Sequence, residues 1–257
     1  MKKIFALAMA AVLCAASMVA CGNQKTDLEK IEEKNRLTIG YTIYEPMNYE
    51  EDGKLTGFDT EFAEAVCEKL GVEADFVEIN WDTKFVTLNA NTIDCIWNGM
   101  TISEEVKKNA DVSVAYVKNA QVVVMKEDVI ANYKDVESLK TLKFAAEAGS
   151  AGEEAIKANG LDANYAPVDL QTSALLAVMG GQADACVIDI TMAKSMTADG
   201  TDYASLGYSI ELTTEEYGIG FRKGSDLTEK VNTIIAELNA DGTLPALAEK
   251  YGLNLAF

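Results

Sequence analysis

An α/β fold is predicted for this chain by three observations. Short apolar runs alternate with helix-patterned stretches; the run Cys95-Ile96-Trp97 is broken at once by Asn98-Gly99; and Leu142–Ala146 runs into a turn, Gly149-Ser150-Ala151-Gly152, ahead of a helix. In open α/β sheets, ligands sit beyond the carboxyl ends of the strands. Gly99 lets a backbone approach a ligand closely, and the Thr101 hydroxyl both donates and accepts. The pattern alone leaves two readings open: a binding loop at Asn98-Gly99 or a plain turn, and a ligand contact at Trp97 or core.

The 257 residues suffice for one large or two modest domains, and a 49% hydrophobic content allows a sizeable core. A net charge of −19 and a pI near 4.4 oppose binding to nucleic acid or anionic lipid. The chain has no His, which removes Ser-His-Asp and Cys-His catalysis and His-based zinc sites. Arg36 and Arg222 are its two arginines, so a guanidinium clamp has few candidates. No cofactor or metal is expected.

Lys2-Lys3, the apolar run Ile4–Ala16 and Ser17-Met18-Val19-Ala20-Cys21 read as a secretory signal. The run is shorter than the ~20 residues of a membrane-spanning helix. It resembles a lipoprotein signal: residues 1–20 are removed, Cys21 is lipidated, and residues 21–35 tether the domain to the membrane. Ordinary secretion is the alternative, but Met18 fits an Ala-x-Ala cleavage site poorly. The charges between Lys25 and Asn35 are expected to be solvated. Cys67, Cys95 and Cys186, an odd number, read as buried free thiols.

In chain order, Leu37–Gly40 forms a strand, Gly53 and Gly57 mark turns, and Glu61–Leu70 forms a helix capped by Asp59 or Thr60 and ended by Gly71. Strand Ala74–Ile79, helix Thr83–Leu88, strand Cys95–Trp97 and a helical segment Glu104–Asn109 follow. This alternation implies a parallel sheet with right-handed crossovers. Loops carrying Tyr44, Trp81 and Asn98 to Thr101 leave one edge of it, and the two aromatic rings suit a partly apolar solute.

Farther on come a strand at Gln121–Met125 and Leu142–Ala146 with its glycine turn and a helix Glu153–Asn159. Strand, turn and helix N-terminus make an anion site without a Walker pattern or Lys; a plain tight turn is the alternative. A strand from Ala163, a helix Thr172–Met179 and the strand Ala185–Ile190, which bears Asp189, follow. A carboxylate there costs too much to bury unless a cation meets it. Helices Asp226–Leu238 and Leu244–Tyr251 follow.

Phe58-Asp59, Trp81, Asn98-Gly-Met-Thr-Ile, Gly149-Ser150, Asp184-Ala-Cys-Val-Ile-Asp189 and Tyr217-Gly-Ile-Gly-Phe-Arg-Lys-Gly224 stand in order at characteristic spacings. Together they resemble the polar-amino-acid class of extracytoplasmic solute-binding proteins that feed ABC importers, over residues 36–253. The resemblance implies a two-lobed periplasmic-binding-protein-like fold of type II. Each lobe is then a mostly parallel sheet flanked by helices, lobe one from 36–117 and 218–257 and lobe two from 118–217. Tyr116–Ala120 and Leu212–Tyr217 become hinge crossovers, and closure around solute the motion. It further implies that Tyr44 stacks on the ligand, Trp81 flanks its side chain and Asp189 takes its α-ammonium. Trp97, Asn98, Gly99, Thr101, Ser150, Ala151 and Gly152 complete the expected ligand-binding set. The expected partners are an amino-acid-class solute, an ABC permease and the membrane through a lipid anchor, for an extracytoplasmic monomer that does not bind nucleic acid.

One position departs from the pattern. Where the family carries an Arg for the α-carboxylate, this chain has Val106. Loss of such a pair weakens binding by roughly 2–5 kcal/mol unless something compensates. Three readings follow: Lys107 substitutes; the amides of Ser150, Ala151 and Gly152 carry the carboxylate alone; or the ligand has no α-carboxylate, with Glu147 and Asp189 favouring a cation. An enzyme on the same fold, a cyclohexadienyl dehydratase, is the alternative function. It needs cations for two carboxylates, which the missing Arg disfavours.

Overall fold

The computed structural model describes residues 25–257, so the signal segment and Cys21 lie outside the described residues. Two sheets organise the chain. The first is built from β1 (Arg36–Tyr41), β4 (Glu73–Glu78), β5 (Cys95–Thr101), β6 (Asp111–Val112), β7 (Val117–Asn119) and β13 (Glu215–Phe221). Its order is β4-β1-β5-β13-β6, with β7 also on β13. The second has β8 (Gln121–Lys126), β9 (Phe144–Glu147), β10 (Tyr165–Val168), β11 (Ala185–Asp189) and β12 (Leu206–Glu211), ordered β10-β9-β11-β8-β12. A hairpin, β2 (Tyr49–Glu51) with β3 (Lys54–Thr56), stands apart.

Both sheets are mixed. β4-β1-β5 and β10-β9-β11 are parallel, whereas β13 runs antiparallel to β5, and β8 and β12 run antiparallel to their neighbours. Periodicity reports a strand but not its direction, so β8, β12 and β13 escape a parallel reading of the alternation. β12 had no counterpart among the sequence expectations, and the segment expected as a bare crossover, Leu212–Tyr217, already enters β13 at Glu215.

Helices cover the sheets. α1 (Asp27–Lys34) precedes β1; α2 (Phe58–Leu70) connects β3 to β4; α3 (Lys84–Asn89) and α4 (Glu104–Asn109) flank β5. In the second lobe lie α5 (Val136–Leu139), α6 (Ala151–Ala158), α7 (Gln171–Met179) and α8 (Ile190–Met196). α9 (Leu227–Ala240) and α10 (Thr243–Lys250) return to pack on α2. Leu227, Val231, Ile234, Ile235 and Leu238 put one face of α9 wholly in the core, at roughly 1.5–3 kcal/mol for each buried side chain. None of the described helices is long and apolar enough to cross a membrane.

Two expectations are corrected here. Asp59 does not cap α2, whose N-cap is Gly57; its carboxylate is instead buried under the β5 loop. The α1 charges are not simply solvated either. Ile31 is buried against lobe one, and Asp27 and Lys34 pair with Arg222 at 3.0 Å and Asp94 at 2.5 Å. Leu28 and Ile31 in a charged stretch give too short an apolar pattern to announce docking, yet these two side chains and two ion pairs hold this helix down. Cys67, Cys95 and Cys186 are free and buried, as expected.

Candidate functional site

The carboxyl ends of β5, β9 and β11 meet between the lobes. They surround a cavity of about 30 Å³, walled by Trp81, Lys84, Asn98, Gly99, Thr101 and Val106 on one side and by Glu147, Gly149, Ser150, Ala151, Gln171 and Asp189 on the other. A space of that size holds a water or two, so a larger solute enters only when the lobes part. A larger groove of about 410 Å³ runs beside the crossovers, but its charged residues, Lys118, Lys194 and Glu211, are all exposed. Exposed charges are cheap to keep in water and give little selectivity. The buried chemistry is in the interlobe cavity.

Closure rests on close backbone approach. Gly149 has φ +69°, and a Cβ there would stand 2.9 Å from the Asp82 Cα of the other lobe. Gly99 has φ +55°, and its Cβ would meet the Tyr44 ring at 2.7 Å. Its amide donates to the Asp59 carboxylate at 2.6 Å, which the Tyr116 hydroxyl also reaches at 3.0 Å. Burial pushes the Asp59 carboxyl up to about 7, against the pull of these donors. Asn98 is locked by a 2.7 Å bond from the Thr42 hydroxyl and by its own donation to Asn48 at 2.7 Å and to the Thr42 carbonyl at 2.8 Å. The break expected at Asn98-Gly99 is therefore corrected: both residues stay within β5, which runs on to Thr101, and are held rigid from beneath.

Asp189 ends β11 and is buried. Its carboxylate accepts from Gln121 Nε2, Gln171 Nε2 and the Tyr217 hydroxyl, each at 2.8 Å, and from Asn119 Nδ2. Asn119 and Gln121 also donate to Glu215, and Thr101 reaches the same carboxylate at 2.6 Å. Every one of these donors is neutral, and Asp189 takes part in none of the ion pairs among the described residues. Burial first, then the neighbouring Glu215 charge, push its carboxyl up to about 7. A cation arriving beside Asp189 would relieve that cost.

On the same wall lies the N-terminus of α6. Ser150 caps the helix by accepting from the Glu153 amide at 3.2 Å, while the amides of Ala151 and Gly152 belong to the first turn, which a helix leaves unpaired. Glu147 Oε1 is buried without a hydrogen-bond partner, and burial aided by Asp189 pushes this carboxyl up to about 8. Glu105 and Glu154 approach from opposite lobes; burial and then Glu105 push the Glu154 carboxyl up to about 7.

Of the residues singled out in the sequence, Trp81, Asn98, Gly99, Thr101, Ser150, Ala151 and Asp189 come together on the cavity wall. Trp97 does not. It is fully buried and meets Phe62 edge to face at 5.0 Å, because alternation along β5 turns it toward α2. Tyr44 is also off the wall: it is buried, and its hydroxyl bonds to Thr191 across the cleft and to Tyr217 at 2.5 Å. Gly152 is not among the wall residues, and a Cβ there would meet the Val187 carbonyl at 2.7 Å, so only its backbone is available to the site. Lys107 is exposed and pairs with Glu104 at 2.9 Å, so it cannot replace the missing guanidinium. Sequence reasoning passed over Lys84, Glu105, Asn119, Gln121, Gln171 and Glu215. Of these only Lys84 carried a local signal, standing three residues after Trp81 and next to Phe85.

Comparison with known proteins agrees with this geometry. Residues 37–254 match the family model for bacterial extracellular solute-binding proteins, family 3. The L-cystine-binding protein TcyJ of Escherichia coli (strain K12) is 32% identical over 246 residues, covering 95% of this chain and 92% of TcyJ. The P235GK mutant of ArgBP from T. maritima superposes with a TM-score of 0.81 at 32% identity, covering 88% of this chain and 98% of that one. An ancestral amino acid-binding protein, described as a precursor of cyclohexadienyl dehydratase, gives 0.81 at 30% identity over 87% of this chain and 98% of its own. With two mixed α/β lobes, a cleft between strand ends and a match along nearly its whole described length, the chain belongs to the bacterial extracellular solute-binding proteins of family 3.

Proposed function

We propose that this protein is the solute-binding component of an ABC importer and captures an amino acid by closure of its lobes. The observation that carries the reading is Asp189: a buried carboxylate in the interlobe cavity, hydrogen-bonded only by neutral groups, in the same cavity as the α6 N-terminus. An α-ammonium beside Asp189 and an α-carboxylate toward Ser150 and the Ala151 and Gly152 amides match those polarities. Trp81 offers an apolar face for the side chain, and Asn98, Gly99 and Thr101 contribute the lobe-one wall. Names of relatives, cystine-binding and arginine-binding, support an amino acid as the solute class. The closing bodies are residues 36–117 with 218–257, and residues 118–217.

The same proposal extends to the chain's surroundings. The leader 1–20 directs export, Cys21 carries a lipid anchor, and residues 21–35 link it to the domain, with α1 docked on lobe one. The protein then works outside the cytoplasm, as a monomer, handing solute to a membrane permease. Binding rather than turnover is the activity; the structural neighbour on the dehydratase side is itself an amino acid-binding protein.

Native mass spectrometry of the purified protein, followed by calorimetric titration with the twenty amino acids and cystine, tests the assignment. Stoichiometric binding of one of them without chemical change is expected. Conversion of prephenate, or indifference to every amino acid, contradicts it.

A further inference from the structure

Lys84 is buried in the interlobe cavity at 4% exposure, on the first turn of α3. Its Nζ donates to the Gly149 carbonyl of lobe two at 2.7 Å and to the Trp81 carbonyl at 3.3 Å. The rings of Trp81 and Phe85 lie 5.0 Å and 4.9 Å from the nitrogen, within cation–π range. An ammonium has three N–H donors, and two are engaged, which leaves one for a further acceptor. Lys84 takes part in none of the ion pairs among the described residues, although Glu105, Glu147 and Glu154 stand nearby. A buried ammonium held only by carbonyls and rings is expensive to keep, as burial without a paired anion always is.

We propose that Lys84 clamps the carboxylate of the bound solute, replacing from α3 the guanidinium that position 106 on α4 lacks. Val106 and Lys84 line the same cavity, so the charge is moved within one site rather than lost. Because Nζ touches the carbonyl of Gly149, it sits at the mouth of the α6 N-terminus, where a carboxylate can bridge it to the Ala151 and Gly152 amides. Asp189 and Lys84 are then a buried negative and a buried positive group, both without ion pairs, matched to the two ends of a zwitterion. Glu147, with one oxygen unpartnered, faces the same cavity and disfavours a solute with additional anionic groups there. The proposal rests on the amino-acid reading above.

The test is calorimetric titration of the full mature chain with the amino acid that wild type binds most tightly and with its carboxamide, repeated on Lys84→Met and Lys84→Arg. Wild type is expected to prefer the acid by about 30-fold or more, the low end for a charge-assisted pair. In Lys84→Met that preference collapses to less than about threefold, and in Lys84→Arg most of it returns. Should Lys84→Met fail to fold by circular dichroism, Lys84→Gln, uncharged but still a donor, gives the same comparison. A preference that survives the loss of the ammonium overturns the clamp while leaving the amino-acid assignment intact. Wild type that binds none of the amino acids overturns that assignment and the clamp with it.

Discussion

The hydroxyl of Tyr44, in the loop after β1, is hydrogen-bonded to the hydroxyl of Thr191 at the start of α8, so a single side chain of lobe one is tied to lobe two. Tyr217, from the strand β13 by which the chain re-enters the first sheet, bonds to both hydroxyls, at 2.5 Å to Tyr44 and 3.0 Å to Thr191. Tyr217 also donates to Asp189. Closure and the charged end of the site therefore share one buried network.

Tyr44→Phe removes the interlobe bond and leaves the ring. A net hydrogen bond is worth roughly 0.5–1.5 kcal/mol, so solute affinity should fall roughly 3- to 10-fold. Small-angle scattering should show the unliganded variant more open than wild type. Unchanged affinity and shape would make the bond incidental to closure.

Gly149→Ala separates closing from folding. The added Cβ meets the Asp82 backbone only when the lobes are shut, while a positive φ costs Ala roughly 1–2 kcal/mol in either state. Affinity should therefore drop by about tenfold or more beyond what the change in melting temperature accounts for. A variant whose affinity follows its stability alone contradicts this role for the glycine.

The pH dependence follows from the buried acids. Asp59 and Asp189 have carboxyls pushed up to about 7 and Glu147 to about 8, whereas in an unfolded chain they titrate near 4. Between those values the folded state holds more protons than the unfolded one, so stability falls as pH rises from about 4 through 7 to 8. Asp27 works the other way, its folded carboxyl lying near 2, and its contribution is lost as pH falls through that value. The melting temperature of the unliganded protein should decline from about pH 4 toward pH 8, and Asp189→Asn should flatten the decline. A melting temperature that rises from pH 5 to 8 would refute this.

Arg222 is 11% exposed and reaches Asp27 at 3.0 Å, Asp94 at 3.5 Å and the Ile93 carbonyl at 2.7 Å. Arg222→Met removes the cation shared by two buried carboxylates, each of which keeps one lysine, Lys30 for Asp27 and Lys34 for Asp94, at a cost of roughly 1–3 kcal/mol in urea unfolding. Solute affinity should be unchanged within about twofold, since none of these residues lines the cavity. A loss under 1 kcal/mol would mean that α1 docks without this network.

What could be read in the sequence was the local chemistry. Gly149-Ser150 and Asp189 stand at the carboxyl ends of apolar strands, where an α/β sheet holds ligands, whereas Asn98-Gly99, expected to break its strand, lies inside β5 and still faces the cavity. The direction in which a side chain faces was harder to read. Trp97 and Tyr44 could each have met solute, and only the packing of Phe62 beneath one and Thr191 beyond the other decides that they do not line the wall. Lys84 stands close to Trp81 and Phe85 in the sequence, but its bond to Gly149 at 2.7 Å comes from the other lobe, which no local pattern announces. The amides around Asp189 come from β7, β8 and α7, distant in sequence and carrying no motif of their own.

Calorimetric titration of wild type with its preferred amino acid and with the Nα-acetyl derivative addresses most directly whether an α-ammonium is held at Asp189. Acetylation removes the cation and leaves the buried carboxylate unpaired, so binding should weaken by about 30-fold or more, the low end for losing one partner of a buried charge pair. Equal affinity for the two compounds would contradict the account.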